Sequence, residues 1–258
     1  MQHQKIIDHI VKWLSDYSDR SGTDGFIVGI SGGIDSAVTS TLCALTKKKV
    51  YVLNMPIRQF KNESDRSSEH IEALKTKFKN VISERVELTN VLASFEAAFP
   101  EEIQDHLSMA NTRARIRMTT LYAFASHHKL LVGGTGNKVE DFGIGFFTKY
   151  GDGGVDVSPI ADLNKTQVYE LGKYLGVVES ILQARPTDGL FEDGRTDEDQ
   201  IGATYPELEW AMEFKGGINN LSEREKEVLK IYTARNKANK HKMEPIPVCK
   251  IPVELFKS

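Results

Sequence analysis

Apolar residues recur along this chain with the spacings of amphipathic helices and buried strands. Over residues 4–17, Ile6, Ile10 and Leu14 share one helical stripe with charged residues between them, which predicts a helix that covers the fold. Short runs rich in β-branched residues predict strands at 26–30, 50–57, 85–88 and 129–134. Because helical patterns separate these runs, we expect parallel strands and an α/β fold.

Capping residues mark several of the predicted helices. Asn164 is expected to cap a helix that Gly176 ends, and Ser222 with Glu225 forms a capping-box pattern for another. Further helices are predicted from residue 37, over 71–78 and, as one or two helices, over 100–127. The charged segment 61–70 predicts a solvated loop, and the polar, turn-rich segment 183–200 predicts a mobile segment and a candidate lid.

The composition allows one large domain and argues against several classes of partner. With 258 residues and 40% hydrophobic content, we expect a single domain over residues 1–258. A net charge of −3 without a basic block gives no reason to expect nucleic acid or an anionic membrane as a partner. Cys43 and Cys249 are expected to be buried packing groups. With no signal peptide and no long apolar run, the expected location is the cytoplasm.

The stretch FIVGISGGIDSAVTSTLCAL, residues 26–45, combines a strand, a tight turn and the start of a helix. The adjacent Gly32 and Gly33 allow the backbone to approach a ligand, and the free N–H groups of a helix N-terminus favour an anion. The turn lacks the lysine of a Walker A loop and carries Asp35, which would repel a phosphate unless a metal ion lay between them. The loop therefore predicts a nucleotide phosphate together with Mg²⁺.

Simpler explanations exist for these acidic residues. A Gly-Gly turn can be a plain chain reversal in which Asp35 and Ser36 cap a helix. Glu140 follows a predicted parallel strand and could share the metal with Asp35, although an acid at this position is more often an ordinary helix-start residue.

Three arginines in one predicted helix cannot all lie on one solvated face. Arg113 and Arg117 are four residues apart, whereas Arg115 is turned by about 200° from each. At least one should point toward the protein or a partner, where it needs a carboxylate, a carbonyl or a phosphate. A structural ion pair would also satisfy it, and the spacing alone favours that explanation.

Other features favour a nucleotide site less strongly. The segment 141–156 is rich in glycine yet carries four aromatic residues, as expected of a loop that covers a flat heterocycle, although the same rings could anchor it in the core. Lys165 falls in the first turn of its helix, an unfavourable place for a cation unless an anion is nearby. The helix dipole alone could explain His241 and Lys242 at the end of the last helix.

Residues 31–36, SGGIDS, resemble the pyrophosphate loop of the ATP pyrophosphatases, which split ATP into AMP and pyrophosphate. Over nearly its full length the chain is similar to the ammonia-dependent NAD synthetases. The motifs that carry the resemblance are SGGIDS, NTRARIRM, GTGNKVE, GFFTKYGDGGVD, PTDGL, DEDQIGATY and the HK pair at 241–242. Two details depart from the commoner forms: GTGN replaces GTDH or GTSN, and one extra residue lies between Glu140 and Phe146. They leave the roles of Gly136 and Asn137 open.

The resemblance implies a fold and a set of site residues. The fold would be a doubly wound parallel sheet of about five strands with helices on both faces, of the adenine nucleotide alpha hydrolase type, in a homodimer. The residues implied to bind ATP are Gly29, Ile30, Ser31, Gly32, Gly33, Ile34, Asp35, Ser36, Thr135, Lys165 and Thr187. Those implied to bind deamido-NAD are Arg115, Lys149, Asp156, His241 and Lys242, while Asp35 and Glu140 would bind Mg²⁺. We refer to residues 29–36 as the phosphate loop.

The implied reaction consists of two displacements. The nicotinate carboxylate of deamido-NAD attacks the α-phosphorus of ATP, pyrophosphate leaves, and ammonia then displaces AMP to give NAD. Asp152, beside the expected nicotinate site, is the candidate for holding ammonium or taking its proton. The chain has no room for the amidase domain of glutamine-using relatives, so free ammonia is the expected donor unless a partner protein delivers it.

Two rival interpretations remain at this point. Another ATP pyrophosphatase would share SGGIDS but not GFFTKYGDGG, and one that acts on tRNA should carry a basic face. A nucleotide-sensing module of similar fold would bind ATP without turnover, which leaves the pair of Asp35 and Glu140 unexplained.

Overall fold

Four parallel strands form one sheet in the computed structural model, which describes residues 1–58, 61–187 and 196–256. They are β1 Gly25–Gly29, β2 Lys49–Asn54, β3 Val81–Arg85 and β4 Leu130–Val132. The spatial order is β3-β2-β1-β4, so the chain moves outward from β1 through β2 and β3 and then returns to the other side of β1. The order therefore reverses between β1 and β4, the position at which open α/β sheets bind ligands.

Helices connect and cover the strands. Those of the described ranges are α1 His3–Ser21, α2 Ile34–Leu45, α3 Lys61–Lys77, α4 Thr89–Ala98, α5 His106–His128, α6 Lys165–Leu175, α7 Glu179–Leu182, α8 Asp197–Ile201, α9 Tyr205–Glu213 and α10 Glu223–Met243. Short 3₁₀ turns occur at Glu101–Ile103, Ile218–Asn220 and Val253–Phe256, and a π-helical turn occurs at Val139–Ile144. None of the helices in these ranges combines the length and the apolar content that crossing a lipid bilayer requires.

Alternating side chains of the strands build two apolar layers. Phe26 and Val28 of β1 pack in the layer formed by α1, α2 and α6, whereas Ile27 packs in the layer formed by α4 and α5. Both faces of the parallel sheet are thus covered by helices, which confirms the doubly wound α/β prediction. Because α2 is buried along most of its length, its first turn is held firmly at the end of β1.

A third apolar cluster lies beyond the end of the sheet. Val139 and Ile144 of the π-helical turn pack there with Tyr205 and Leu208 of α9 and with Val228 of α10. This cluster anchors the segment that carries Glu140.

Several predictions of secondary structure were wrong. About five strands were expected, but the described residues contain four, and Val157 forms only an isolated bridge with Gly133. The third strand lies at 81–85 rather than 85–88, because this edge strand is mostly exposed and its apolar pattern is weak. Residues 61–70 belong to α3 and not to a loop, since Asp65 and Glu69 lie on the exposed face of a helix whose inner positions include Ser67 and His70.

Other predictions had mixed outcomes. The capping boxes at Asn164 and Ser222 are present, and Gly176 ends α6 in the left-handed conformation. Cys43 is buried, but Cys249 is exposed, because residues 244–252 form an extended segment outside the core. The expected mobile segment 183–200 falls largely on residues 188–195, which lie outside the described residues, while Asp197 begins α8.

Candidate active site

The turn between β1 and α2 is held in shape by its own hydroxyl groups. Ser31 Oγ accepts the N–H of Gly33 at 3.2 Å and lies 3.1 Å from Ser36 Oγ, which donates to the carbonyl of Gly33 at 3.0 Å. Gly32 has a φ of 86°, where a β-carbon would be strained. The N–H groups in the first turn of α2 have no intrahelical acceptor, so the turn presents donors and a positive dipole end to an anion.

Two carboxylates converge beside this turn on a buried lysine. Lys165 Nζ, from the first turn of α6, lies 2.6 Å from Asp35 Oδ2 and 2.9 Å from Glu140 Oε1. The Lys165 side chain is 4% exposed, whereas those of Asp35 and Glu140 are 16% and 14% exposed. A cation in the first turn of a helix needs a nearby anion, and for Lys165 two carboxylates of the protein supply it.

The electrostatics of this group follow from burial and mutual attraction. Burial disfavours the charged form of Lys165, but the neighbouring Asp35 and Glu140 outweigh it and raise its pKa, so the ammonium stays charged. Burial raises the pKa of Asp35, and the attraction of Lys165 opposes that increase. A further cation near Asp35 would favour its ionised form.

Asn137 connects the two acidic residues. Its side chain is fully buried, its Nδ2 donates to Asp35 Oδ1 at 3.1 Å, and its Oδ1 accepts the N–H groups of Val139 and Glu140 at 3.1 and 3.2 Å. One amide therefore orients Asp35 and fixes the start of the turn that carries Glu140. The role that the sequence left open for Asn137 is structural.

The sequence showed one extra residue between Glu140 and Phe146, and most of this segment belongs to the π-helical turn at Val139–Ile144. The N–H of Gly145 donates to the carbonyl of Glu140, five residues earlier, and a π turn holds one residue more than an α-helical turn. Asp141 of this turn lies against Gly136, where a β-carbon would be 2.1 Å from Asp141 Oδ1. Burial, together with the nearby Glu140, raises the pKa of Asp141 to about 8.

A cleft opens at the carboxyl ends of β1 and β4 and brings these groups together. The phosphate loop, Thr135, Glu140, Lys165 and Thr187 all line it. Every residue that the resemblance associates with ATP or Mg²⁺ therefore lies in one cleft, although these residues are up to 158 positions apart, from Gly29 to Thr187.

The residues associated with deamido-NAD lie on the surface beside this cleft. Arg115 Nε donates to the carbonyl of Lys149 at 3.3 Å, and Lys149 Nζ donates to the carbonyl of His241 at 2.9 Å. Lys242 Nζ donates to the carbonyl of Phe147 at 2.5 Å. Four of the five residues are therefore gathered around the segment 146–150.

Asp156 and Asp152 occupy different positions. Asp156 lies apart from the other four, where its Oδ2 accepts the N–H of Val132 at 2.8 Å and its Oδ1 accepts the hydroxyl of Tyr122 at 3.0 Å. Asp152 lines the cleft, and its Oδ1 accepts the N–H of Thr148 at 3.0 Å. Asp152 thus stands between the cleft and the segment 146–150.

Comparison with known proteins agrees with this geometry. The model of the NAD synthase family matches residues 6–246. The chain belongs to the NAD synthase family.

Relatives in this family match almost the whole chain. The NH₃-dependent NAD⁺ synthetase of Methanosarcina acetivorans is 36% identical over 260 residues, which cover 96% of this chain and 98% of the relative. The structure of an NMN synthetase from Francisella tularensis superposes with a TM-score of 0.87 at 32% identity, covering 97% of this chain and 100% of the other. The NH₃-dependent NAD synthetase from Campylobacter jejuni, in complex with the nitrate ion, gives a TM-score of 0.77 at 27% identity over 97% and 100% of the two chains.

In this member of the NAD synthase family, α5 shows which of its three arginines point toward the protein. Arg113 is buried, and Arg117 lines the cleft with its Nε donating to the carbonyl of Met55 at 3.1 Å. Arg115 is the exposed member. The inference that at least one arginine points inward is confirmed, and two do.

Sequence reasoning missed several residues of the cleft. They include Arg66, Asp141, Tyr169, Arg185 and Asp197. Arg66 belongs to α3, and its Nε donates to the carbonyl of Gly32 at 3.3 Å. The helical spacing of Ser67, Ile71 and Leu74 could have revealed that Arg66 stands on a helix beside the phosphate loop.

Proposed function

We propose that this chain catalyses the ATP-dependent amidation of deamido-NAD by ammonia, giving NAD, AMP and pyrophosphate through an adenylated intermediate. The observation that carries the proposal is the convergence of Asp35 and Glu140 beside the phosphate loop in one cleft. Membership of the NAD synthase family supports the same reaction. A sensing module that only binds ATP would have no use for a paired acidic site.

Within this proposal the phosphate loop holds the triphosphate of ATP. The N–H groups at the start of α2 and the hydroxyl of Ser31 face the anion, and the Ser36 hydroxyl holds the turn through the carbonyl of Gly33. Thr135 and Thr187 contact the nucleotide from the other walls of the cleft. Lys165 keeps Asp35 and Glu140 together before substrate arrives. Holding these groups in advance lowers the cost of ordering the reaction.

Asp35 and Glu140 fit a Mg²⁺ ion. Mg²⁺ is usually held by one or two carboxylates, with substrate phosphates and water completing its shell. Among the described residues no group of three His, Cys, Asp or Glu side chains is arranged to hold a metal without such help. When bound, the ion supplies positive charge that neutralises the leaving pyrophosphate.

The deamido-NAD side of the proposal uses the surface beside the cleft. Arg115, Lys149, Asp156, His241 and Lys242 would bind this substrate, with the aromatic segment around Phe146 placing the nicotinate ring near the triphosphate. A carboxylate is a poor electrophile, so adenylation must precede the attack of ammonia.

Asp152 is the proposed site for ammonium or its proton. It lines the cleft next to Thr148, close to the segment that would carry the nicotinate ring. The variant Asp152→Asn should slow formation of the amide more than release of pyrophosphate, as measured by following NAD and pyrophosphate together. Equal decreases in the rates of the two steps would contradict this role of Asp152.

The remaining parts of the proposal concern the whole protein. We propose a single NAD synthetase domain over residues 1–258 that acts in the cytoplasm as a homodimer and uses free ammonia. Glutamine would then support no synthesis without a partner that releases ammonia from it.

The direct test incubates purified protein with ATP, Mg²⁺ and deamido-NAD, plus either ammonium or glutamine, and follows NAD, AMP and pyrophosphate. One NAD and one AMP per turnover with ammonium alone is the expected result, and Asp35→Ala should abolish both. AMP formed without NAD would show that the protein splits ATP but that deamido-NAD is not its substrate. ATP bound without turnover would favour the sensing module.

A second candidate substrate is the deamidated mononucleotide. The structural neighbour named an NMN synthetase has a higher TM-score than the neighbour named an NAD synthetase. To decide between the two substrates, the same assay is run in parallel with deamido-NAD and with nicotinate mononucleotide. The ratio of the two kcat/KM values gives the preference. We expect the ratio to favour deamido-NAD.

A further inference from the structure

Tyr205, the first residue of α9, places its hydroxyl between two carboxylates. The residue is 3% exposed, and its hydroxyl donates to Glu140 Oε1 at 2.5 Å and lies 3.1 Å from Asp197 Oδ2. Lys165 Nζ lies 4.8 Å from the centre of the Tyr205 ring. The phenol is therefore in contact with both the acidic residue and the lysine of the candidate metal site.

The contacts of Glu140 are divided unevenly between its two oxygens. Oε1 accepts both the Tyr205 hydroxyl and the Lys165 ammonium, whereas no donor within the described residues bonds to Oε2. Two donors on one oxygen fix the rotation of the carboxylate and leave the lone pairs of the other oxygen for a cation. Outer hydrogen bonds of this kind are what orient ligating carboxylates in metal sites.

Tyr205 is itself held firmly. Its N–H donates to Glu198 Oε1 at 3.0 Å, and the preceding Thr204 caps α9 in a reciprocal capping box with Glu207. The ring packs with Val139 in the third apolar cluster. Packing alone would be satisfied by a phenylalanine, so the position of the hydroxyl on Glu140 requires a separate explanation.

We propose that Tyr205 is a positioning residue that orients Glu140 for Mg²⁺, with Asp197 as the second anchor of its hydroxyl. The inference rests on the proposed function of Asp35 and Glu140 as the metal pair. It ties the metal site to α8 and α9, so a displacement of either helix would reach Glu140 through one side chain.

The test is Tyr205→Phe, which removes one oxygen atom and keeps the ring. The Mg²⁺ concentration that gives half the maximal rate should rise about 10–100-fold, with the maximal rate at saturating Mg²⁺ little changed. Binding of Mn²⁺ in the presence of ATP and the absence of deamido-NAD, followed by electron paramagnetic resonance, should weaken by the same factor. This second readout needs no turnover.

Tyr174→Phe is the matched control. Tyr174 is exposed, and its hydroxyl donates to Gln4 Oε1 at 3.2 Å on the far side of α6 from the metal pair, so this variant should behave as wild type in both assays. Should Tyr205→Phe fail to fold, Asp197→Ala removes the other partner of the Tyr205 hydroxyl and should weaken Mn²⁺ binding in the same direction.

The outcomes separate the inference from the function on which it rests. A folded Tyr205→Phe with unchanged Mg²⁺ and Mn²⁺ constants, or one that only melts at a lower temperature, would overturn the positioning role. If Glu140→Gln binds Mn²⁺ as tightly as wild type, the metal pair is wrong and the inference falls with it. Weakened binding in both variants, with the larger loss in Glu140→Gln, supports both.

Discussion

Arg66 brings to the phosphate loop a cation that the loop itself lacks. Its Nε holds the carbonyl of Gly32, and no carboxylate of the described residues forms an ion pair with it. Lys165 attracts phosphate less strongly, because Asp35 and Glu140 already balance its positive charge. The guanidinium is thus the better placed group to meet phosphate charge.

We therefore expect Arg66→Gln to raise the KM for ATP about tenfold or more, since a hydrogen bond to a charged group contributes about 1.5–3 kcal/mol. Steady-state kinetics at saturating Mg²⁺ give the measurement. Arg85→Gln is the control, because Arg85 contacts the same helix through Ser64 but lies outside the cleft. Equal KM values for the two variants would contradict this role.

Gly136 is required by the side chain that lies against it. A β-carbon at this position would meet Asp141 Oδ1 at 2.1 Å, so Gly136→Ala should lower the free energy of unfolding by about 1–3 kcal/mol. Urea unfolding measures the change. Gly217→Ala should be tolerated, because nothing lies within 4 Å of its added carbon and its φ is −80°.

The double variant Gly136→Ala with Asp141→Ala provides the decisive check. Removing the Asp141 carboxylate should restore much of the stability that Gly136→Ala loses, because neighbours that clash show strong coupling. Additive losses would mean that the strain has another source.

At the scale of helices, α2 and α3 are joined by a buried histidine. His70 is 2% exposed, its Nε2 lies 3.0 Å from Ser40 Oγ, and its Nδ1 has no hydrogen-bond partner among the residues that the structure describes. Burial lowers the pKa of His70 from 6.5 to about 4. The folded state therefore excludes a proton that the unfolded chain accepts.

The sign of the pH dependence follows from this shift. Above pH 6.5 His70 is mainly neutral in both the folded and the unfolded state, so it does not change the free energy of unfolding. As the pH falls from 6.5 toward 4, mainly the unfolded state takes up the proton, so the free energy of unfolding decreases. We expect His70→Gln to flatten the loss of unfolding free energy between about pH 7 and about pH 5. Urea titrations of both proteins test this, and parallel pH curves would contradict it.

Elements with a clear pattern were predictable, and those defined by distant contacts were not. The strand, turn and helix around the phosphate loop follow from the glycines and the apolar runs, and the helix ends at Asn164 and Gly176 follow from capping. The first half of α3 was missed because Ser67 and His70, its inner residues, are polar. Tyr205 bonds to Glu140, 65 residues away, and no local pattern signals such a contact.

At the scale of the whole molecule, the cleft joins segments from both halves of the fold. A ligand bound there contacts the phosphate loop, the residues after β4 and the start of α6, so it stabilises the folded protein as a unit. With ATP and Mg²⁺ at about 100 times the dissociation constant, the free energy of unfolding should increase by about 2.7 kcal/mol. Denaturant titration measures the gain, and Asp35→Ala should lose most of it.

The strand order also determines when this site comes into existence during synthesis. β1 pairs with β4, which begins 105 residues after β1 begins, and Asp35 meets Lys165 across 130 residues. Contacts of such long sequence separation form late in folding, since loop closure must precede them. A nascent chain on the ribosome thus carries the residues of the phosphate loop for more than 100 residues of translation before Asn137, Glu140 and Lys165 have emerged.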